Sequence, residues 1–160
     1  MATRAHFVKK ARKDNINAGV KKGESYWWWQ FAFSSKSYSK TQPTRQQLTR
    51  SEFWQSMYAI EDMIGNVSIK DDFQCIVDDI KAEIEALSDE CQSKLDNMPE
   101  QLQQAPSGEM LQNRIDELSS MVSDLENIDV EVDDDLKGDE LENRKEEVTE
   151  EIKNVCYNGE

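Results

Sequence analysis

The sequence predicts a mainly α chain with a small N-terminal β-hairpin, arranged as a basic hairpin-helix head followed by an acidic antiparallel helical coiled coil. Three observations carry that prediction. The aromatic run YWWWQFAF, Tyr26 to Phe33, has strand character. From Ile69 onward, apolar residues recur every three or four positions, the spacing of one helix face. The charge also reverses along the chain: residues 1–50 hold eleven Lys and Arg against two acids, a formal +9, whereas residues 51–160 hold the other eight bases against 31 acids, a formal −23.

Residues 1–23 are basic, poor in apolar spacing and broken by Asn15, Asn17, Gly19 and Gly23, which predicts a flexible arm that orders on a partner. Residues 24–65 form the expected head: a strand over Tyr26 to Phe33, a turn over Ser34 to Ser37, and a short returning strand from Tyr38 to Thr41 that Pro43 ends. A helix follows, capped by Thr49 or Ser51, with Phe53, Met57, Ile60 and Ile64 on one stripe and Gly65 as its stop. A lone hairpin is barely stable in water, so this helix is expected to cover one hairpin face.

Residues 66–160 form the acidic half. Ile69, Phe73, Ile76, Ile80, Ile84, Leu87, Cys91, Leu95 and Met98 define a helix of about 29 residues, roughly 43 Å long. Pro99, Pro106 and Gly108 break it, and Leu111, Ile115, Leu118, Val122 and Leu125 restart the seam as an antiparallel partner. Leu141, Val148, Ile152 and Val155 mark a weaker third helix, with Lys145 where the seam wants an apolar residue. The half therefore has two or three helices, and its long stripe is covered either within the chain or by a second copy.

A mean hydropathy of −0.82 with 32% charged residues leaves little apolar material for a large core. His6 is the one histidine, so no His-based triad or multi-histidine zinc site can be assembled within one chain. Gly19-Val20-Lys21-Lys22-Gly23 has the residue types of a phosphate loop at the wrong spacing. From Asp133, a calcium loop would find Asp135 and Gly138 in place but Lys137 and Arg144 where oxygen ligands belong. Carboxylate pairs such as Asp78 and Asp79 fall on a slender coiled coil that offers few pockets to shift a pKa. The chain is thus expected to be non-enzymatic, with no cofactor, no metal and no small-molecule substrate. Cys75, Cys91 and Cys156, odd in number and far apart, predict buried thiols in a reducing compartment, with Cys91 on the apolar stripe. No apolar run reaches the roughly 20 residues of a membrane span, and MATRAHFVKK lacks the apolar core of a secretory leader. A cytoplasmic protein without a membrane partner is expected.

In a strand, Trp27, Trp29, Phe31 and Phe33 share one face, which predicts core, while Tyr26, Trp28, Gln30 and Ala32 share the other. Trp28 and Tyr26, close in sequence to Lys21, Lys22 and Lys36, are the candidates for stacking on nucleic-acid bases. Phosphate contacts are expected from Lys9, Lys10, Arg12, Lys13, Lys21, Lys22, Lys36, Lys40, Arg45 and Arg50. The acidic helices are expected to supply a protein partner or a homo-oligomer.

The run YWWWQFAFSSKSYSKTQPTRQQLTRSEF, within about residues 20–65, resembles the strand, turn, basic strand and helix of the small arm-binding (AP2-like) domains of tyrosine integrases. That resemblance implies a sheet that enters the DNA major groove. Ser34-Ser35 stands where that family turns through a Gly-containing loop, the family carries more sheet than two strands, and no integrase catalytic region follows. From MATRAHFVKKARKD to KTQP and LTRSEF, the chain is also similar in style to small tailed-bacteriophage proteins, a resemblance that implies a viral origin, hence the host-cell cytoplasm, and does not point to any particular activity. The expected function is nucleic-acid or ribonucleoprotein binding through the head. The rival expectation is a phage-encoded protein-interaction module: a host-factor inhibitor whose acidic helices mimic DNA, or a virion assembly component.

Overall fold

The computed structural model describes residues 3–70, 72–132 and 136–159 of the 160-residue chain. The protein is mainly helical, with a small antiparallel sheet near the N-terminus. Its contacts divide it into two compact units, Met1–Ala59 and Ile60–Glu160, and helix α1, Glu52–Asn66, belongs partly to each.

The first unit holds the sheet. Strands β1 (His6–Val8), β2 (Tyr26–Gln30) and β3 (Lys36–Ser39) lie in the order β1-β2-β3, with both pairings antiparallel. β1 corrects two expectations, the two-stranded hairpin and the flexible arm over residues 1–23. It pairs His6 with Trp28, Phe7 with Trp27 and Val8 with Tyr26. The segment between β1 and β2 also satisfies its own backbone. Asn15 and Val20 exchange hydrogen bonds around a turn in which Gly19 takes φ 62°, while Ala11 N–H donates to the Glu24 carbonyl and Gly23 N–H to the Ala11 carbonyl. Gly23 sits at φ 97°, where a Cβ would strain the backbone.

β2 stops at Gln30, three residues before the expected end, and the chain turns through residues 31–35. Strand alternation ends with the strand, so Trp29 is buried as predicted, Trp27 and Phe31 are half-buried, and Phe33 is fully exposed, which corrects its placement in the core. The buried side chains of this unit are Ala11, Val20, Trp29, Pro43, Thr49, Phe53 and Met57. Ser51 caps α1, its Oγ accepting from Trp54 N–H at 3.5 Å, and Gly65 lies inside the helix instead of ending it.

The second unit is helical: the end of α1, then α2 (Phe73–Asp96), the short α3 (Glu100–Gln103), α4 (Pro106–Glu126) and α5 (Asp139–Asn154). Asp72 starts α2 by accepting from Cys75 N–H, and Pro106 opens α4 at the position where its missing N–H costs nothing. α2 packs on α4 in antiparallel sense, since Lys81 near the start of α2 bonds Glu126 at the end of α4, Nζ to Oε1 at 2.8 Å. A Cβ on Gly108 would overlap the Gln103 backbone, so the tight join between α3 and α4 requires glycine. Ile80, Ile84, Leu118, Met121, Leu125, Val148 and Ile152 fill the interior. The seam runs slightly out of the expected phase, with Val77 and Met121 buried and Ile76 and Val122 half-buried.

Cys91 is buried, as its stripe position predicts, but Cys75 and Cys156 are exposed: Cys75 lies off the apolar stripe of α2, and Cys156 follows the end of α5. Asp133 and Asp135 of the calcium-loop pattern lie outside the described residues. Among the described residues, no group of His, Cys, Asp or Glu is placed to hold a metal ion, and no helix is long and apolar enough to cross a membrane.

Candidate nucleic-acid interface

The candidate site is built on the sheet and on the excursion between β1 and β2. On the Trp28 face, the register places His6, Trp28 and Tyr38 in one row across the three strands. The His6 imidazole stacks on the Trp28 indole, centroids 4.5 Å apart and planes 17° from parallel, and the Lys36 ammonium lies 4.4 Å from the centre of the same ring. Tyr26 and Tyr38 meet at 6.2 Å. Trp28 is half-buried by these neighbours, so its ring, expected to be an open stacking platform, is engaged from both flanking strands. A base stacking on it would have to displace His6 or Lys36.

The cations gather beside this row. Lys10, Arg12 and Lys13 line an open cleft of about 720 Å³ with Val8, Ile16 and Tyr26. A second cleft shares Lys10 and Arg12 and adds Lys22 and Gly23. The Lys40 stem passes the Gly19 turn, its Cε 3.8 Å from where a Cβ on Gly19 would stand. Lys9 and Lys21 are exposed.

Arg45 and Arg50 are exposed and lie against rings. The Arg45 guanidinium lies 4.1 Å from the centre of the Tyr58 ring. That of Arg50 lies 5.1 Å from Phe31 and donates to the Ala32 carbonyl at 3.4 Å. Cation–π packing positions both guanidinium groups, and both residues stay exposed.

The two acids of residues 1–50 are both spent on backbone. Asp14 Oδ1 accepts from Lys22 N–H at 2.7 Å, and Glu24 Oε2 accepts from Lys21 N–H at 2.9 Å. None of Lys9, Lys10, Arg12, Lys13, Lys21, Lys22, Lys36 and Lys40 makes an ion pair with a described residue. All of them are exposed. The two carboxylates therefore bind the backbone of the loop and are not ion-paired with these eight cations.

No protein-family model, curated protein or solved structure matches this chain. What the site can do chemically follows from its own residues: Lys10, Arg12 and Lys13 outnumber Asp14 along a cleft that Tyr26 also lines, an excess of positive charge that favours anions. Sequence reasoning missed His6, because a three-residue strand flanked by charge leaves no periodic signal, and Tyr38, whose alternation with Lys36 and Lys40 could have marked it as sharing their face. It also missed Phe33, which strand alternation assigned to the interior.

Proposed function

We propose that this protein is a non-enzymatic nucleic-acid-binding protein: the N-terminal basic, aromatic unit contacts the polynucleotide, and the acidic helices, as a coiled coil, serve oligomerisation or a protein partner. The observation that carries the reading is the set of eight exposed cations, Lys9 to Lys40, which make no ion pair with any described residue while Asp14 and Glu24 bind backbone N–H groups. Unpaired lysines and arginines at this density release counterions from a phosphate backbone when they bind it. The presence of β1 also favours the likeness to the arm-binding domains, since it supplies sheet beyond the two strands the sequence offered. A tailed-bacteriophage origin and a cytoplasmic location go with this proposal.

The test is a titration of tryptophan fluorescence in the full-length protein with single-stranded and duplex DNA and RNA, at low and at physiological salt. Quenching that weakens steeply with salt supports the reading, and salt-insensitive binding or none overturns it. A second reading, a protein-interaction module whose acidic helices imitate DNA, is favoured by one observation: Glu140, Glu146, Glu147 and Glu150 line one open groove along α5. Under that reading, Glu→Lys substitutions along the groove abolish partner binding, and substitution of Lys10 and Arg12 leaves it intact.

A further inference from the structure

Phe33 has a fractional exposure of 106%, so nothing covers its ring. Its φ of 60° lies in the left-handed region, which Gly or Asn enters with far less strain than a bulky side chain. Around it the turn is pinned. Ser34 N–H and Oγ both donate to the Phe31 carbonyl, Gln30 Nε2 donates to the Ser34 carbonyl at 2.7 Å, and Arg50 holds the Ala32 carbonyl while packing on Phe31. A turn this well fixed has no folding need for an aromatic ring at its tip. A strained φ under a bulky side chain is a cost that clusters at binding sites, and here it serves to hold the ring out in solvent.

The surroundings specify the partner. Arg50 lies beside the turn, Lys36 begins the strand that leaves it, and residues 1–50 carry a formal +9. A covering surface that is at once apolar, flat and surrounded by negative charge is an unpaired base on a polynucleotide: single strands present open ring faces, whereas a duplex must first be unstacked at a cost of a few kcal/mol. We propose that Phe33 is the base-stacking residue of this unit, packing on an unpaired base of a single-stranded nucleic acid while the neighbouring cations hold the adjoining phosphates. This rests on the nucleic-acid reading above and names its substrate class and its contact residue.

The experiment uses the full-length protein, an oligothymidine strand and a duplex containing the same strand, titrated under identical buffer conditions. Phe33→Ala is expected to weaken single-strand binding on the order of tenfold, with duplex affinity and salt slope unchanged. Phe33→Trp should restore it, and the new indole should be quenched on binding. Phe33→Gly, which suits the backbone, keeps the turn without the ring and should bind like Phe33→Ala. Wild-type single-strand affinity in the Ala and Gly variants overturns the stacking role and leaves the nucleic-acid reading standing. Equal losses on single strand and duplex overturn the single-strand assignment. Wild-type protein that binds neither form overturns the nucleic-acid reading itself, and this proposal with it.

Discussion

Asp14 is an acid whose work is done against the backbone. Its carboxylate accepts the Lys22 N–H at 2.7 Å, so Asp14→Ala leaves that N–H to water and removes a negative charge from a positive surface. The expected outcome is a split: thermal stability falls by about 1 kcal/mol, while affinity for a polyanion rises. Calorimetry and a binding titration on the same variant check both halves. Cys91 behaves differently, because burial pushes its thiol up from 9.0, and the positive charge of Arg114 and Lys94 only partly offsets that. Burial likewise pushes Tyr157 up from 10.0. Below 9.0 both groups are neutral, folded or unfolded, and their contribution is intact. As pH rises past 9.0 the unfolded chain ionises first, so stability declines toward the raised folded values. Melting temperature followed against pH should show this alkaline decline, and it should be shallower in Cys91→Ala. Thiol reagents should label Cys75 and Cys156 in the native protein and reach Cys91 only in denaturant.

Among the elements, α2 and α4 hold the second unit through side chains that are almost wholly out of solvent. Leu118 and Ile84 have no exposed surface, so Leu118→Ala or Ile84→Ala should cost about 2–5 kcal/mol in chemical denaturation. Gly108→Ala should be comparably damaging although it removes no atom, because the added methyl meets the Gln103 backbone at the join of α3 and α4. A Gly108→Ala variant as stable as wild type would show that the join relaxes easily. These helices were largely legible in the sequence: a stripe of Phe73, Ile80, Ile84, Leu87 and Cys91 is a local pattern, and the 3.6-residue period writes it directly into the chain. The exchange of Val77 for Ile76 and of Met121 for Val122 was not legible, since the phase at each position depends on which neighbour the helix meets. β1 was not legible for a related reason. His6 finds Trp28 across a long sequence separation, and three residues between charges carry no period of their own. The cations of the candidate site could be named from composition, yet the placing of Lys36, Arg45 and Arg50 against the rings of Trp28, Tyr58 and Phe31 depends on positions that only the fold supplies.

For the whole molecule, the formal net charge of −14 hides a positive unit, and binding to polyanions should therefore be governed by that unit's local field and not by the total. If single strands engage all the unpaired cations, log K should fall against log salt with a slope approaching about −6, and the double variant Lys10→Ala/Arg12→Ala should flatten it by about 1.4. A slope near zero at the outset would remove the basis for the assignment. The sheet order adds a different consequence. β1 and β3 are its two edges, and both carry lysines at their ends: Lys9 and Lys10 follow β1, while Lys36 opens β3 and Lys40 follows it. Lysines at such margins keep exposed strands of neighbouring molecules from zipping together. A protein stripped of them to map binding should become prone to edge-to-edge self-association before it loses its fold, so a lost affinity in such a variant has to be read beside its size in solution.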